Sequence, residues 1–291
     1  MTAKRITRRG FLKFLGYGLI DLALLSIGGV AYDVWVERGS FSVETIPLSL
    51  KRLPQVFSGL RLAQISDIHM GGWMNPDRFQ HVADLVKAER PDLLFITGDF
   101  LLGHHFSGAE KQAILDLIPV LSSLAESIPT FAVLGNHDYW TSSEAIRQML
   151  FSCGITDQTN TVFTLTREQA SLHLCGVDDI WRGNVRLDEV IAKLDDDSAA
   201  ILLAHEPDFA DVSAATGKFD LQISGHTHGG QVNLPLFGPP VRPYLGQKYP
   251  IGLYKVRDMS QYTNRGVGMA RLPVRFNCPP EISIFELHSV A

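Results

Sequence analysis

Short apolar runs recur along the chain, and each is followed at once by glycine or by polar side chains. Uninterrupted apolar runs of this length, bounded by turn residues, are typical of buried parallel strands. Five of them predict strands over residues 60–65, 93–97, 131–134, 201–204 and 221–223. Five other segments predict strands over residues 162–166, 172–177, 252–256, 261–263 and 281–287.

Segments with helical spacing separate many of these runs. Helices are predicted over residues 76–88, from Ser107 onwards, and over 141–154, 187–194 and 208–215. Pro76 suits a first helical turn, and capping-box patterns occur at Ser107 with Glu110 and at Thr141 with Glu144. Alternation of strands and helices predicts an α/β fold of βαβ units with their strand ends along one edge.

Carboxylate, amide and imidazole side chains stand directly after the five strands named first. They are Asp67 and His69, Asp99, Asn136 with His137 and Asp138, His205, and His226 with His228. A rigid sheet fixes the side chains that follow its strand ends, so these groups are expected to converge. Mixed oxygen and imidazole ligands suit Mn, Fe or Zn better than Ca, which prefers all-oxygen shells. The clusters therefore predict a site for two divalent metal ions.

The spacing within the clusters indicates how two ions are held. Two divalent ions about 3.5 to 4 Å apart repel each other, so they need an anionic bridging ligand. Asp99 stands alone at its strand end and is the natural bridge. Asp67 and His69 are two residues apart in an extended segment and point to the same side of the chain. His226 and His228 repeat that spacing.

The motif order Asp-x-His, Gly-Asp, Gly-Asn-His-Asp, a lone His and Gly-His-Thr-His resembles that of the calcineurin-like metallophosphoesterases. The resemblance covers roughly residues 60–287. It implies a four-layer α/β/β/α sandwich of two mixed sheets. It also implies a metal-dependent phosphoesterase, above all a phosphodiesterase, that hydrolyses its phosphoester substrate with a water activated by two metal ions.

The resemblance also implies a ligand set. One ion is bound by Asp67, His69, Asp99 and His228. The other is bound by Asp99, Asn136, His205 and His226. A lone histidine at a strand end is more often structural than a ligand, so the position of His205 between the third and fifth motifs is what favours its ligand role.

Two residues of the third motif are catalytic candidates. By the resemblance, His137 is not a ligand but faces the substrate phosphate, where it stabilises the negative transition state or protonates the leaving oxygen. We predict that Asp138 orients the His137 ring by a hydrogen bond, as carboxylates near metal sites often do.

Three further segments, 178–181, 229–231 and 263–268, resemble the bacterial YaeI- and YkuE-like branch of the family. Arg265 in the last segment is a candidate for binding a substrate phosphate, since a guanidinium matches phosphate oxygens in pairs. The alternative is a surface arginine in a glycine turn. Trp181 and Arg182 are candidates for the rim of the pocket.

The amino terminus carries a separate signal. Residues 7–13 resemble a twin-arginine export motif, and the alternative is the basic start of an ordinary signal or anchor. An apolar stretch of about 18 residues follows over 14–31, near the lower limit for a bilayer span. Small residues at Gly29 and Ala31 suit cleavage, whereas an uncleaved stretch would anchor the chain in the membrane.

Basic residues before the apolar stretch predict that the rest of the chain is exported, to the periplasm or the outer face of the cytoplasmic membrane. The twin-arginine export machinery is then a partner, and so is the membrane if the stretch is retained. Residues 1–31 are assigned to this signal or anchor, 32–59 to a lead-in and 60–291 to a single metallophosphoesterase domain.

Charge and cysteine content restrict the picture further. Residues 1–31 hold five basic side chains and one acidic one, so the remaining chain has a net charge of −9, against −5 for the whole. This acidic balance argues against a nucleic-acid partner. Three cysteines without a C-x-x-C pair provide no disulfide framework, and a Cys153–Cys175 bridge is a candidate pairing.

Two alternative functions are kept beside the phosphodiesterase. One resembles the branch that cleaves the pyrophosphate of UDP-2,3-diacylglucosamine in lipid A synthesis, but its nucleotide substrate is cytoplasmic and conflicts with export. The other is a non-catalytic metal-binding scaffold, which predicts lost ligands. Every ligand position is filled in this chain, and His137 is present.

Overall fold

The structure, a computed structural model, describes residues 37–270 and 272–290, together with residues 7, 8, 16, 17, 28, 29 and 32. The twin-arginine motif, the apolar stretch and its cleavage site lie almost entirely outside the described residues. Among the residues that are described, no helix combines the length and the apolar character needed to cross a membrane.

Twelve strands and six α-helices occur in the described part of the chain. The strands are β1 (Ser42–Leu50), β2 (Arg61–Ile65), β3 (Leu93–Thr97), β4 (Thr130–Val133), β5 (Thr156–Asp157), β6 (Thr161–Arg167), β7 (Ala170–Gly176), β8 (Ala199–Leu203), β9 (Leu221–Ser224), β10 (Gly252–Val256), β11 (Met259–Thr263) and β12 (Glu281–Ser289). The helices are α1 (Pro76–Ala88), α2 (Gly108–Ser127), α3 (Asn136–Thr141), α4 (Ser143–Ser152), α5 (Leu187–Ile191) and α6 (Ala210–Ala215). Short 3-10 helices span Glu37–Gly39, Gln55–Phe57, Pro207–Phe209 and His228–Gly230.

The strands form two mixed sheets of six strands each. The first has the order β1-β12-β2-β3-β4-β5, and the second has the order β10-β11-β9-β8-β7-β6. Strands β2 to β5 run parallel, as do β7, β8, β9 and β11. Strands β6 and β10 pair antiparallel at the two edges of the second sheet.

Three apolar cores hold these layers together. One lies between the sheets and includes Phe95, Leu203 and Phe285. A second packs helices α1, α2 and α4 on the first sheet, and a third packs α5 and α6 on the second. Helix, sheet, sheet and helix therefore follow one another in four layers, which confirms the predicted α/β/β/α sandwich.

Local sequence signals begin two of the helices as predicted. Asn75 caps α1, where its side chain accepts a hydrogen bond from the Arg78 amide at 2.9 Å. Ser107 and Glu110 form the predicted capping box at the start of α2. Both caps satisfy amide groups that have no partner within the helix, which is why these residue types mark the boundaries.

The predicted N-cap of the next helix, Thr141, is wrong by one residue. Thr141 ends α3, and Ser142 caps α4 by accepting a hydrogen bond from the Ala145 amide. The Thr141 hydroxyl instead donates to the His137 carbonyl at 2.9 Å, within α3. The sequence pattern did not reveal the short helix α3, because its six residues are too few to show an apolar periodicity.

Strand β1 lies within the segment that the sequence assigned to a lead-in. It pairs parallel with β12 from Ser42 to Leu50, and Leu48 and Leu50 are buried between the two sheets. The segment is therefore an integral part of the first sheet. Its partner is more than 230 residues away in the chain, so no local pattern could reveal the pairing.

The cysteines are the other correction. Cys153, Cys175 and Cys278 are all free thiols, so the candidate Cys153–Cys175 bridge is wrong. Each is buried and behaves as a small apolar side chain. Burial raises the pKa of the Cys278 thiol, which keeps it protonated and unreactive.

Candidate metal centre

The seven predicted ligands come from loops that follow strands of both sheets. Loops after β2, β3 and β4 belong to the first sheet, and loops after β8 and β9 belong to the second. Within each sheet these strands are parallel, so their carboxyl ends lie together, and the grouping of ligand atoms from both sheets places the two sets of ends at one edge. The side chains of the two sheets therefore meet across the interface, where rigid strands fix them.

Five of the predicted ligands lie within contact distance of one another. His69 Nε2 is 3.0 Å from His228 Nε2 and 3.6 Å from Asp99 Oδ2. His228 Nε2 is 3.3 Å from Asp67 Oδ1, and His205 Nε2 is 3.3 Å from Asp99 Oδ2. These separations are short enough for a single ion to be shared by neighbouring side chains.

Two separate sets of ligand atoms each fit one ion. In each set the potential ligand atoms lie within 4.8 Å of one another: Asp67, His69 and His228 in one, and Asp99, His205 and His226 in the other. Asp99 also groups with His69 and His137, so it adjoins both sets. This is the place that a bridging carboxylate between two ions requires.

Five of these residues hold a left-handed backbone, which is uncommon for any residue with a Cβ. The φ angles are 53° at Asp67, 50° at His69, 57° at Asp99, 71° at His226 and 52° at His228. Such conformations cost on the order of 1 kcal/mol each and are retained where the surroundings dictate them, commonly at functional sites. Other non-glycine residues of the described chain also have a positive φ, but these five lie together at the shared edge.

Glycine is required where the ligand loops touch. A Cβ on Gly98 would lie 2.6 Å from the Gly135 nitrogen and 2.8 Å from His205 Nδ1. A Cβ on Gly135 would collide with Asp99 Oδ1, and one on Gly225 would collide with the Ser66 hydroxyl. These glycines allow loops from different strands to approach closely enough for their side chains to share one site.

Backbone carbonyl groups fix the orientation of three imidazole rings. His205 Nδ1 lies 2.6 Å from the Thr97 carbonyl, His69 Nδ1 lies 3.2 Å from that of Leu101, and His226 Nε2 lies 2.8 Å from that of Tyr244. A ring nitrogen that donates to a carbonyl leaves the lone pair on the other nitrogen, which is how second partners set the tautomer of a metal ligand.

The charge of the site needs a cation to balance it. Asp67 and Asp99 are completely buried side by side. Burial raises the pKa of Asp67 to about 6, whereas His205 outweighs the same burial effect at Asp99 and holds its pKa well below the usual range. Burial lowers the pKa of His69 and of His226 to about 3, so both rings are neutral. His205 differs, because Asp99 outweighs burial and raises the pKa of that ring well above its usual value. A divalent cation would take the place of this proton and stabilise the buried carboxylates beside the imidazoles.

Asn136 gives a further sign that the residues fit a metal. It is buried at the start of α3, and its side-chain oxygen has no hydrogen-bond partner among the described residues. A buried carbonyl oxygen without a partner costs about 1 to 3 kcal/mol unless something else binds it. A metal ion beside Asp99 and His205 would satisfy this oxygen.

His137 and Asp138 follow on the same short helix. The His137 ring packs edge-on against that of His69, with centroids 4.7 Å apart, and its Nδ1 lies 3.0 Å from the Leu102 carbonyl. The Asp138 carboxylate does not make the predicted hydrogen bond to this ring. It accepts from three backbone amides, those of Asp99, Phe100 and Gly135, each at 2.9 Å. Asp138 thus joins the loop that carries Asp99 to the start of its own helix, because it accepts amides from both segments.

Arg265, like Asp138, makes structural contacts in place of its predicted role. Its guanidinium lies 2.7 Å from a Glu44 oxygen and 2.6 Å from a Glu281 oxygen, and Glu281 is buried. The two carboxylates pair with the Nη2 and Nε groups of the guanidinium, which would otherwise be available to a phosphate. Arg265 is neither a phosphate ligand nor a surface arginine: it links β1 to the start of β12.

A buried arginine that the sequence did not single out lies behind the ligand Asp67. The Arg275 side chain is completely buried and donates to the carbonyls of Arg265, Gly266 and Gly268 at 2.7 to 3.0 Å. The Gly268 amide in turn donates to the Asp67 carbonyl at 2.8 Å. Arg275 therefore fixes the loop on which the Asp67 backbone rests, a role that depends on folding and leaves no local signal.

Aromatic side chains surround the opening of the site. Trp140 packs on the His137 ring at 4.6 Å between centroids, and Trp181 packs on Trp140 at 5.2 Å. Tyr244 packs on Trp181 at 5.4 Å, and the Arg182 guanidinium lies 5.3 Å from the Trp181 ring. The sequence had indicated Trp181 and Arg182 as rim residues, whereas Trp140 and Tyr244 join them only through folding.

Comparison with known proteins decides the family. The profile of the family described as Calcineurin-like phosphoesterase matches residues 60–230. This chain belongs to that family. It is 33% identical to the metallophosphoesterase YkuE of Bacillus subtilis over 98% of this chain and 99% of that protein. It is 31% identical to the phosphodiesterase YaeI of Escherichia coli over 97% of this chain and 99% of that protein. The calcineurin-like chain described here is thus a hydrolase that acts on phosphoester bonds.

Proposed function

We propose that this calcineurin-like protein is a phosphodiesterase whose two metal ions are held at the shared edge of its sheets. The observation that carries the proposal is the meeting of six ligand-type side chains, five of them on a left-handed backbone, beside the His137 ring. The preference for a diester is supported by the likeness to a relative named as a phosphodiesterase.

The ligand assignment follows the two sets of side chains. We assign Asp67, His69, Asp99 and His228 to one ion and Asp99, Asn136, His205 and His226 to the other. Manganese, iron or zinc suits this mixed oxygen and imidazole set. When bound, the ions supply Lewis acidity that lowers the pKa of a water and offsets charge on the phosphoryl oxygens.

The residues of the chain then have separate tasks. Asp99 would be held deprotonated by the bound ions, since a carboxylate that binds a divalent cation gives up its proton. The His137 ring is fixed through Nδ1 by the Leu102 carbonyl, so Nε2 is the nitrogen left to reach a phosphoryl oxygen or the leaving oxygen. Trp140 and Trp181 shield one side of the opening, and Arg182 places a cation there that suits a phosphate.

We also propose that the chain is exported and works on the outer side of the cytoplasmic membrane. The support is the basic segment before the apolar stretch 14–31, which favours that orientation. Export argues against the cytoplasmic nucleotide substrate of the lipid A alternative.

The test is hydrolysis of bis-p-nitrophenyl phosphate and p-nitrophenyl phosphate by the full chain. Metal-stripped protein is assayed with Mn, Zn, Fe or Mg restored, beside the variants Asp99→Ala and His137→Ala. We expect metal-dependent diester cleavage, loss of both metals and of turnover in Asp99→Ala, and retained metal with turnover reduced about 100-fold or more in His137→Ala. His81→Ala, an exposed histidine on α1, is the matched control and should change nothing.

The outcomes separate the alternatives. Cleavage of the monoester alone would replace the diesterase assignment. Full metal occupancy in Asp99→Ala would refute the bridging role, and unchanged turnover in His137→Ala would refute its catalytic role. Absence of turnover with both metals bound would favour the scaffold function.

A further inference from the structure

Two neighbouring segments form an apolar surface beside the metal centre. The apolar patch consists of Leu234, Leu236, Phe237, Val241, Leu272 and Val274, all of them exposed. Leu236 is fully exposed, Phe237 is 83% exposed and Leu272 is 70% exposed. Contiguous exposed apolar side chains of this kind mark interaction sites on soluble domains.

Hydrogen bonds hold the two segments together as one surface. The Asn233 amide donates to the Phe276 carbonyl at 2.8 Å. The Gln231 side chain donates to the carbonyls of Leu272 and Val274 at 2.8 and 3.1 Å. Hydrogen bonds between the two segments therefore fix the relative positions of the residues that form the apolar patch.

Leu236, at the tip of the apolar patch, is not the residue type that would make the fold most stable at this position. Leu236 has a φ of 70°, in the left-handed region that glycine and asparagine adopt most easily. A leucine at this position bears backbone strain and exposes its whole side chain to water. Neither effect stabilises the fold, so the choice of leucine points to a surface that receives it.

The charge around the apolar patch suits an anionic surface. Residues 231–249 and 266–280 contain no Asp or Glu, whereas their described side chains include the exposed Arg242 and Lys248. The chain as a whole has a net charge of −5. The two segments that carry the apolar patch therefore hold basic and no acidic side chains, with Lys248 paired to Asp211 and Arg242 exposed. Basic residues beside apolar ones favour anionic lipid headgroups.

The amino-terminal apolar stretch ends at the same place. A Cβ on Gly29 would lie 3.8 Å from the Phe276 ring, and Tyr32 lines a cleft with Pro235 and Phe276. Both are described residues at the end of the stretch 14–31. The part of the chain with membrane character and the apolar patch therefore adjoin each other.

The apolar patch is also joined to the metal centre. The Tyr244 carbonyl, a few residues after Val241, lies 2.8 Å from His226 Nε2. A Cβ on Gly230, in the turn after His228, would collide with Pro239 of the same loop. A membrane that binds the apolar patch would therefore lie next to the opening of the metal centre.

We propose that the apolar patch docks this face of the protein on an anionic lipid surface, with the tip residues Leu236 and Phe237 in the headgroup and acyl boundary. A second copy of the chain is a poorer occupant, because a tip of two side chains offers little of the roughly 800 Å² that each partner of a standard protein interface buries. Resting on the proposed function, this docking makes phosphoesters at a lipid surface the substrate class.

The first test measures insertion at a single position in the full chain. Leu236→Cys and the control Phe151→Cys, an 88% exposed residue of α4, are each labelled with the fluorophore NBD. The native cysteines are buried and should not react. With phosphatidylglycerol-containing vesicles we expect a blue shift and quenching by nitroxide lipids at position 236 alone. This readout is local, so membrane binding by the leader does not mimic it.

Several results would overturn the docking. They are a failure to bind vesicles, water-like emission at position 236 on vesicle-bound protein, and equal shifts at both positions. A shift at position 236 that grows with protein concentration in the absence of vesicles would assign the apolar patch to a second copy instead.

The second test measures activity with the variant Leu236→Asn/Phe237→Ser, whose asparagine accepts the left-handed backbone. We expect unfolding stability to be equal or higher, and bis-p-nitrophenyl phosphate turnover to be unchanged. Hydrolysis of phosphatidylglycerol in vesicles should fall about tenfold or more, since two apolar anchors are lost. An unaffected vesicle reaction would refute the docking role. Absence of turnover in the unsubstituted protein would contradict the proposed function, while the probe measurement still decides the docking.

Discussion

At the scale of single residues, the metal centre is made from conformations that few residue types adopt readily. Asp67, His69, Asp99, His226 and His228 share a left-handed backbone. Asp138 supports one of these loops by accepting three backbone amides, so its carboxylate acts on the position of Asp99 rather than on the His137 ring. Roles of this kind are set by geometry that surrounds the residue, and the residue type alone does not reveal them.

Arg265 gives a prediction at this scale. Arg265→Ala leaves Glu281 buried without its cation, and removing one partner of a buried pair costs about 3 kcal/mol or more. We expect the free energy of unfolding to fall by roughly that amount. KM for bis-p-nitrophenyl phosphate should be unchanged under conditions in which the variant is folded. Denaturant titration and steady-state kinetics measure the two quantities.

The matched control is Arg186→Ala. Arg186 pairs with Glu189 at 2.9 Å, but both side chains are about half exposed, so its loss should change stability by less than about 1 kcal/mol. A higher KM in Arg265→Ala without a loss of stability would restore a substrate-binding role to Arg265.

At the scale of elements, strand β1 shows how a segment outside the recognisable motifs is required for the fold. It covers one edge of β12 along nine residue pairs, and its Leu48 and Leu50 fill part of the core between the sheets. Without it, β12 would become an exposed edge strand next to an open core. The family motifs begin only after β1 ends, so a domain boundary drawn from the motifs alone omits it.

A comparison of two truncated chains tests this. Residues 37–291 should express as a soluble protein with one cooperative thermal transition. Residues 60–291 should aggregate or unfold without a cooperative transition, because β12 loses its partner and several buried side chains are missing. Soluble yield and calorimetry measure the difference. Equal stability of the two chains would mean that β1 is an accessory strand.

At the scale of the whole molecule, the metal centre joins the two halves of the sandwich. The first sheet provides Asp67, His69, Asp99 and Asn136, and the second provides His205, His226 and His228. An ion bound across this edge would be held by loops of both sheets, an arrangement that exists only in the folded chain. Its binding free energy therefore adds to the stability of the entire domain.

Metal removal is the prediction at this scale. A ligand at about 100 times its Kd stabilises a fold by about 2.7 kcal/mol, and two ions each act in this way. For a chain of this size, we expect EDTA to lower Tm by about 10 to 20 °C, measured by scanning calorimetry. Asp99→Ala should have the same Tm with and without the chelator. A chelator effect that persists in that variant would place the stabilising ion elsewhere.

Local patterns in the sequence account for much of the architecture. Apolar runs correspond to β2, β3, β8 and β9 to within about two residues, and the caps at Asn75 and Ser107 begin their helices as predicted. These features depend on neighbours within a few residues, so they can be read without the fold. The motif order likewise identified the family, because each motif is short and lies at a strand end.

The sequence by itself determined ten of the twelve described strands, the main helix starts, the family and which side chains converge. Only the tertiary structure decided what the charged groups do there: Arg265 meets Glu44 from 221 residues away, and Asp138 meets the Phe100 amide from 38 residues away. The apolar patch likewise joins segments about 40 residues apart. The physical reason is range. Strand and cap patterns follow from local chain geometry, whereas ion pairs, buried amides and surface patches form between residues that only folding brings together.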